Sequence, residues 1–250
     1  MSRDTCRMDL QPVSRTSVSD AVFEQLARQI LAGALPVGAA LPAERALTDA
    51  LGVNRQAVRE ALKRLAQAGL VEVRHGDATR VVDYRHGAGL DLLPRLLVAP
   101  DGTVDPGVVR SIMEMRASIG PDLARACAER ATPAHVARLL AATDAMATDE
   151  TDLAMLATLD LTFWDALVDG ADNIAYRLAL NSLRRVVEAA GAPLHLVLAD
   201  ELRDREHHRA VADAVARADG AAAHAAAGAL LARGTAAVNA LLAGLGGPER

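Results

Sequence analysis

The chain has 250 residues, enough for two domains with a sizeable core, and 51% of them are hydrophobic. Only 2% are aromatic, so the core must consist of leucine, valine and alanine, which favours helices. The net charge of −5 argues against a protein coated in nucleic acid, and the first 85 residues, with 12 basic and 10 acidic side chains, hold the small positive excess.

The cysteines and the N-terminal segment indicate the compartment. Cys6 and Cys127 are far apart and form no C-x-x-C pattern, which is typical of a reducing cytosol. Residues 1–15 alternate charged and polar side chains, which predicts a disordered segment and no signal peptide. No apolar run reaches about 18 residues, so we expect no membrane span and a cytoplasmic protein.

Three helices are predicted before residue 70. The first is indicated by apolar residues spaced four apart from Val18 to Ile30, and it ends at Gly33. The second covers residues 41–51, with a proline just inside its start and Gly52 after its end. The third covers residues 55–68, with Asn54 as its N-cap. The short connection between the second and third helices is typical of a helix-turn-helix.

The third helix has two different faces. Its apolar face is formed by Val58, Ala61, Leu62 and Leu65. A basic face carries Arg55, Arg59 and Lys63, with Gln56 beside them. A row of this kind is by itself also typical of a solvated helix face. Arginine can pair bidentately with guanine and glutamine with adenine, so the same face suits the major groove of DNA.

Two short strands are predicted after the third helix, over residues 70–74 and 79–82, around a hairpin tip at residues 75–77. A helix, a short turn, a second helix and a β-hairpin, in this order, make a winged helix-turn-helix. The sequence therefore predicts a DNA-binding domain over residues 16–83.

This domain resembles the DNA-binding head of the GntR family of bacterial transcription regulators. The matching segments are Leu41–Arg45, Leu51–Arg55, Val58–Leu62, Leu65, Gly69–Val71 and Gly76. The resemblance implies that arginines of the head hold phosphates and bases and that the tip of the wing enters the minor groove. The DNA-binding residues it implies are Arg45, Asn54, Arg55, Gln56, Arg59, His75 and Gly76.

The remainder divides into a linker and an all-helical domain. Residues 84–104 have the glycine and proline content of a linker, interrupted by a short apolar helix over residues 90–97. Residues 105–245 contain no strand pattern and predict an antiparallel helical bundle, so the whole chain is expected to be mainly α. The predicted helices cover residues 106–130, with a kink or break at Pro121, and 133–146, 153–167, 174–190, 193–198, 201–218 and 221–245.

The bundle resembles the FCD effector domain of the FadR branch of the GntR family. The matching segments are Glu114–Arg116, Asp160–Trp164, Asn173 and Glu206–Val211, with two shorter matches in the linker. Many FCD domains hold a metal with one Asp and three His, of which the first His follows the Asp by four residues. Here Trp164 and Leu230 occupy two of the histidine positions, so we expect no bound metal and no cofactor. A divergent metal site that uses His195 or His224 remains an alternative.

The resemblance implies an effector site formed by Arg116, Asp160, Trp164 and His208. The matching arginine of FCD relatives points into the pocket, which would suit an effector anion such as a carboxylate or an acyl-CoA. A salt bridge of Arg116 with Glu114 or Asp160 is an equal alternative, and His208 is equally consistent with an ordinary histidine at the edge of the core.

The predicted function is a DNA-binding transcription repressor that acts as a homodimer on operator DNA and responds to a small-molecule effector. Two other classes remain open. One is an enzyme that uses Asp160 and His208 as an acid and base pair, although no nucleophile motif, phosphate loop or complete metal set accompanies them. The other is a DNA-binding protein without an effector, which a ligand-sized pocket in the bundle would disfavour.

Overall fold

The computed structural model describes residues 17–73, 78–99, 102–146 and 152–245. The chain divides after Gly89 into two compact units, and each unit is described here by itself. Both are mainly helical, and within the described ranges one two-stranded antiparallel sheet is present, in the first unit. The mainly α fold expected from the sequence is confirmed.

The first unit is a winged helix-turn-helix. Val71 pairs with Val81, and Glu72 with Arg80, so the two strands form an antiparallel wing base. The Oδ1 atom of Asn54 accepts a hydrogen bond from the backbone N–H of Ala57 at 2.8 Å, which caps the third helix as the sequence predicted. The elements are α1 (Val18–Leu31), α2 (Glu44–Leu51), α3 (Arg55–Gln67), β1 (Val71–Glu72), β2 (Arg80–Val81) and α4 (Tyr84–Gly87).

Three local expectations for this unit need correction. Helix α2 begins at Glu44, so Pro42 lies in an extended segment before it, where the N–H of Leu41 donates to the carbonyl of Thr79 at 2.8 Å. Each strand has two residues and is shorter than the sequence pattern indicated. Helix α4 was not predicted, because a single turn capped by Asp83 is too short to show periodicity.

The second unit is a helical bundle in which α6 and α12 pack along each other at the centre. Phe163, Leu139, Leu167 and Leu230 are fully buried in its main core. A 3₁₀ turn (Leu90–Leu92) leads into α5 (Leu93–Leu97), α6 (Pro106–Arg130), α7 (Pro133–Met146), α8 (Leu153–Ala171), α9 (Ile174–Val197), α10 (Ala199–Leu202), α11 (Arg205–Ala216) and α12 (Gly220–Leu245).

The breaks between these helices differ from those expected. Helix α6 continues through the buried Pro121 without interruption. Gly191, with φ 58° and ψ −147°, separates two helical segments within α9, close to the predicted boundary. The helix expected over residues 201–218 is instead divided into α10 and α11, because the side chain of Asp204 accepts a hydrogen bond from the N–H of His207 and starts a new helix.

Helix α12 is long and apolar. By length and composition alone, Gly220–Gly244 could cross a membrane, with a mean hydropathy of 1.4. Its residues Ala223, Ala227, Leu230 and Leu231 are buried in the main core of the bundle. Core helices of soluble proteins pass the same test of length and composition, and these contacts place one face of α12 in the core of the bundle.

Candidate functional site

Helix α3 presents one polar face to solvent. Its opposite face is buried, because Val58, Ala61 and Leu65 are less than 1% exposed and pack within the unit. The side chains of Arg55, Gln56, Arg59 and Lys63 are exposed, and Arg45 on α2 is exposed as well. The structure therefore places the predicted base-reading residues of α3 together on one accessible surface.

Acidic neighbours hold three of these side chains, and one of them is Lys63, whose Nζ atom lies 3.2 Å from Oε1 of Glu60. The Nε atom of Arg59 donates to Oε2 of Glu44 at 2.9 Å, with the Arg59 side chain 57% exposed. The amide of Gln56 donates to Oε1 of Glu60 at 2.9 Å. These contacts are exposed, so little free energy is lost when they are exchanged for contacts with DNA. His75 and Gly76 lie outside the described residues, so their predicted place at the wing tip stays a prediction.

The second unit contains a cavity of about 510 Å³, lined mainly by apolar side chains of α5, α6, α8, α9 and α12. This volume is typical of a small-molecule binding site. Among the lining residues that the structure describes, the side chains with hydrogen-bonding groups are Arg116, Asp160, Trp164, Tyr176 and His195.

Asp160 and Trp164 line the cavity, and both Trp164 and His208 contact the Asp160 carboxylate. Asp160 and Trp164 lie one turn apart on α8, and the indole N–H donates to Oδ1 of Asp160 at 3.1 Å. His208 on α11 is fully buried and does not line the cavity; its Nε2 atom lies 3.0 Å from the same oxygen. His208 therefore contacts Asp160 from the side of the core, and any effect of His208 on a ligand passes through that carboxylate.

The hydrogen bonds of His208 determine the charge of this pair. Its Nδ1 atom lies 2.7 Å from the carbonyl oxygen of Asp204, which can only accept, so Nδ1 carries a hydrogen. The contact of Nε2 with Asp160 is attractive only if a second proton lies between them. Burial by itself lowers the pKa of His208, but the hydrogen bond and charge of Asp160 outweigh it and raise that pKa. The two side chains together are therefore electrically neutral.

Arg116, on α6, forms a salt bridge that the sequence did not reveal. Its Nη2 atom donates to Oε1 of Glu201 on α10, instead of pairing with Glu114 or Asp160. The side chains are 16% and 1% exposed, so this is a buried ion pair. Burial raises the pKa of the Glu201 carboxyl, and the charge of Arg116 opposes that rise.

Two glycines make room for these side chains. A Cβ atom at position 234 on α12 would overlap Oε2 of Glu201 and would lie 2.8 Å from a methyl carbon of Leu198. A Cβ atom at position 120 on α6 would overlap a methyl carbon of Leu231 and would lie 3.4 Å from the Trp164 ring. The absence of a side chain at Gly234 and Gly120 is therefore part of the site.

This arrangement does not fit a metal ion. Asp160 and His208 bond directly to each other, and Trp164, at the position of the expected histidine, donates to the carboxylate instead of offering a lone pair. Across the described ranges, no group of three or more His, Cys, Asp or Glu side chains could hold a metal. His195 lines the cavity and His224 is exposed on α12, so neither belongs to such a group.

The two units thus define a class of protein, in which a winged helix-turn-helix accompanies a helical domain with a ligand-sized cavity. Residues 18–81 match the family model described as bacterial regulatory proteins, gntR family, and residues 111–233 match the FCD domain. The chain belongs to the gntR family and is a DNA-binding transcription regulator with an FCD effector-binding domain.

Individual relatives agree with this assignment. The chain is 47% identical over 212 residues to the HTH-type transcriptional regulator Mce2R of Mycobacterium tuberculosis. The alignment covers 85% of this chain and 88% of that protein. It is 32% identical over 168 residues to a fatty acid metabolism regulator protein of Edwardsiella ictaluri. That alignment covers 67% of this chain and 68% of that protein. The solved structure of Lar, which controls the expression of the Listeria monocytogenes agr system, matches with a TM-score of 0.59 over 92% of this chain and 100% of that chain; at 18% identity it shows the fold alone.

Proposed function

We propose that this regulator is a repressor that binds a two-fold operator as a homodimer in the cytoplasm and releases it when an acyl-chain effector fills the cavity of the second unit. The observation that carries the proposal is the cavity of about 510 Å³ with an almost entirely apolar lining. An alkyl chain suits such a lining, and the few polar groups near Arg116 and Asp160 suit a small head group. The names of the fatty acid metabolism regulators among its relatives support the same ligand class.

The proposal assigns the DNA contacts to residues of the first unit. Arg55, Gln56 and Arg59 read base edges or phosphates from α3, and Arg45 on α2 holds the backbone. Asn54 acts through the N-cap that fixes the start of α3. His75 and Gly76 complete the set as the predicted wing tip.

The chemistry of the second unit favours binding over catalysis. His208 is fully buried and does not reach the cavity, so it cannot exchange a proton with a substrate there. Cys127 is 1% exposed, and burial raises its pKa to about 12, so its thiol is not a nucleophile at neutral pH. We therefore assign no catalytic activity, and the cavity disfavours a DNA-binding protein that lacks an effector.

The Arg59→Ala variant is expected to weaken specific operator binding by about 1–3 kcal/mol without unfolding the first unit, because Arg59 is exposed on the reading face of α3. The measurement is a gel-shift titration with a duplex that the wild-type protein selects from a random library. Arg28→Ala is the matched control, since it removes the same charge from the exposed side of α1. Equal affinities of Arg59→Ala and the control would contradict the assignment.

A ligand that occupies the cavity is expected to lower operator affinity by about 1–3 kcal/mol, the usual size of an allosteric coupling. Trp164 lines the cavity and is the one tryptophan of the chain, so its fluorescence reports occupancy. A series of alkyl compounds is titrated against Trp164 fluorescence and against the anisotropy of a labelled operator duplex, with triethylene glycol as the polar control. Compounds that change the fluorescence but leave DNA affinity unaltered would show a real pocket and a wrong mechanism.

A further inference from the structure

The ion pair between Arg116 and Glu201 sets the charge that a ligand meets in the cavity. Arg116 is the one arginine or lysine among the lining residues of the described ranges. Its guanidinium is already paired with Glu201, whose side chain is 1% exposed. The other contact of this guanidinium is weak, from Nη1 to the sulfur of Met113 at 3.5 Å. A ligand therefore meets a cation that is neutralised but still has N–H groups to donate.

The neighbouring pair adds no net charge. Asp160 and His208 share one extra proton, because Nδ1 already donates to the Asp204 carbonyl and Nε2 needs a second proton to bond to Asp160, so the pair is neutral. The charges of Arg116, Glu201, Asp160 and His208 thus cancel as a group of four. The rest of the lining is mainly apolar, with Tyr176 and His195 as its other hydrogen-bonding side chains, and offers little compensation for a further charge.

A ligand carboxylate at Arg116 would lie close to the Glu201 carboxylate. Two carboxylates that share one guanidinium repel each other, and one of them must be protonated or displaced. Glu201 has little freedom to move away, because it packs against Gly234 and Leu198 in a space that a single Cβ atom would fill. An uncharged oxygen, as in an ester or an alcohol, can accept a hydrogen bond from Arg116 without this cost.

We propose that Glu201 is a specificity-determining residue, which makes the cavity select alkyl ligands with an uncharged polar head over free fatty-acid anions. The inference rests on the proposed function, since it concerns the ligand of the same cavity. Glu201 acts by neutralising Arg116, so removal of its charge reverses the selection. An alcohol head has the further advantage that it can donate to Asp160, whose two accepted hydrogen bonds both end on Oδ1.

The test compares 1-decanol with decanoate, two ligands of equal chain length, by calorimetric titration of the full-length protein at neutral pH. Wild type is expected to bind decanol at least about tenfold more tightly, the effect of one poorly compensated charge. In Glu201→Gln the ratio of the two dissociation constants is expected to shift by about tenfold or more toward decanoate. This ratio is compared between proteins, so the different hydration of the two head groups cancels.

Glu114→Gln is the matched control, because Glu114 lies on the same helix as Arg116 but on its exposed side. It removes the same charge from the protein and is expected to leave the ratio unchanged. Equal affinity of wild type for the two ligands, or the same ratio in Glu201→Gln as in wild type, would overturn the inference. If neither ligand binds or changes Trp164 fluorescence, the proposed acyl-chain effector itself fails.

If circular dichroism shows that the Glu201→Gln variant does not fold, measurements on the wild-type protein alone test the inference. Decanoate with its head group at Arg116 should take up about one proton, because its carboxylate and that of Glu201 would share one guanidinium, next to the neutral pair of Asp160 and His208. Decanol should take up none. Titrations in two buffers of different ionisation enthalpy measure this uptake, and tight decanoate binding without a proton would overturn the inference.

Discussion

The Arg116→Met variant is expected to lower the free energy of unfolding of the second unit by about 3–5 kcal/mol, since it leaves a buried carboxylate without its partner. Glu201 is 1% exposed, so water cannot replace the lost guanidinium. Methionine keeps most of the apolar volume of the arginine stem, which separates the loss of charge from a loss of packing. Urea unfolding followed by Trp164 fluorescence measures the effect, because the tryptophan lies in the same unit and lines the same cavity.

The double variant Arg116→Met/Glu201→Met is the control for this prediction. Replacement of a whole buried ion pair by apolar side chains is often neutral or stabilising, so most of the lost stability should return. A double variant as unstable as the single one would show that arginine packing, and not its charge, holds this part of the bundle. The same result would weaken the view that Glu201 is kept in place by its partner.

The first unit could be predicted closely because its signals are local. Asn54 caps α3 within three residues of its own position, and Gly52 and Gly69 follow α2 and α3 with positive φ angles. The inclusion of Pro42 in a helix was wrong because the hydrogen bond from the N–H of Leu41 to the carbonyl of Thr79 leaves no local pattern in the sequence. Sequence patterns that span a few residues predict helices and turns, but they do not predict contacts between distant parts of the unit.

The second unit shows where such reasoning ends. The resemblance to the FCD domain placed Asp160 and Trp164 in one site, and the structure joins them by a hydrogen bond across one helical turn. Glu201 was missed because its partner Arg116 lies 85 residues away, and an acidic residue in a sequence is usually at the surface. Gly234, in an alanine-rich helix, gave no sign that it faces a carboxylate. The helix start at Asp204 shows that an aspartate inside an apparently continuous helix can mark a break.

The Phe163→Ala variant is expected to destabilise the second unit by about 3–5 kcal/mol, the usual cost of a cavity left by a buried aromatic ring. Phe163 is fully buried, and its ring makes edge contacts with Trp164 at 5.6 Å and with His208 at 4.8 Å between ring centroids. It therefore supports both neighbours of Asp160 from the core side. Urea unfolding followed by circular dichroism measures the stability, and Trp164 fluorescence measures whether the indole keeps its environment.

Met155→Ala is the matched control on the same helix, because Met155 is 48% exposed and should change stability by no more than about 0.5 kcal/mol. Benzene offers a second check, since an apolar cavity of this kind can bind it and regain part of the lost stability. If Phe163→Ala is as stable as Met155→Ala, the ring does not carry the packing assigned to it. If it is destabilised but Trp164 fluorescence and ligand binding are unchanged, the hydrogen bonds to Asp160 hold the site without support from Phe163.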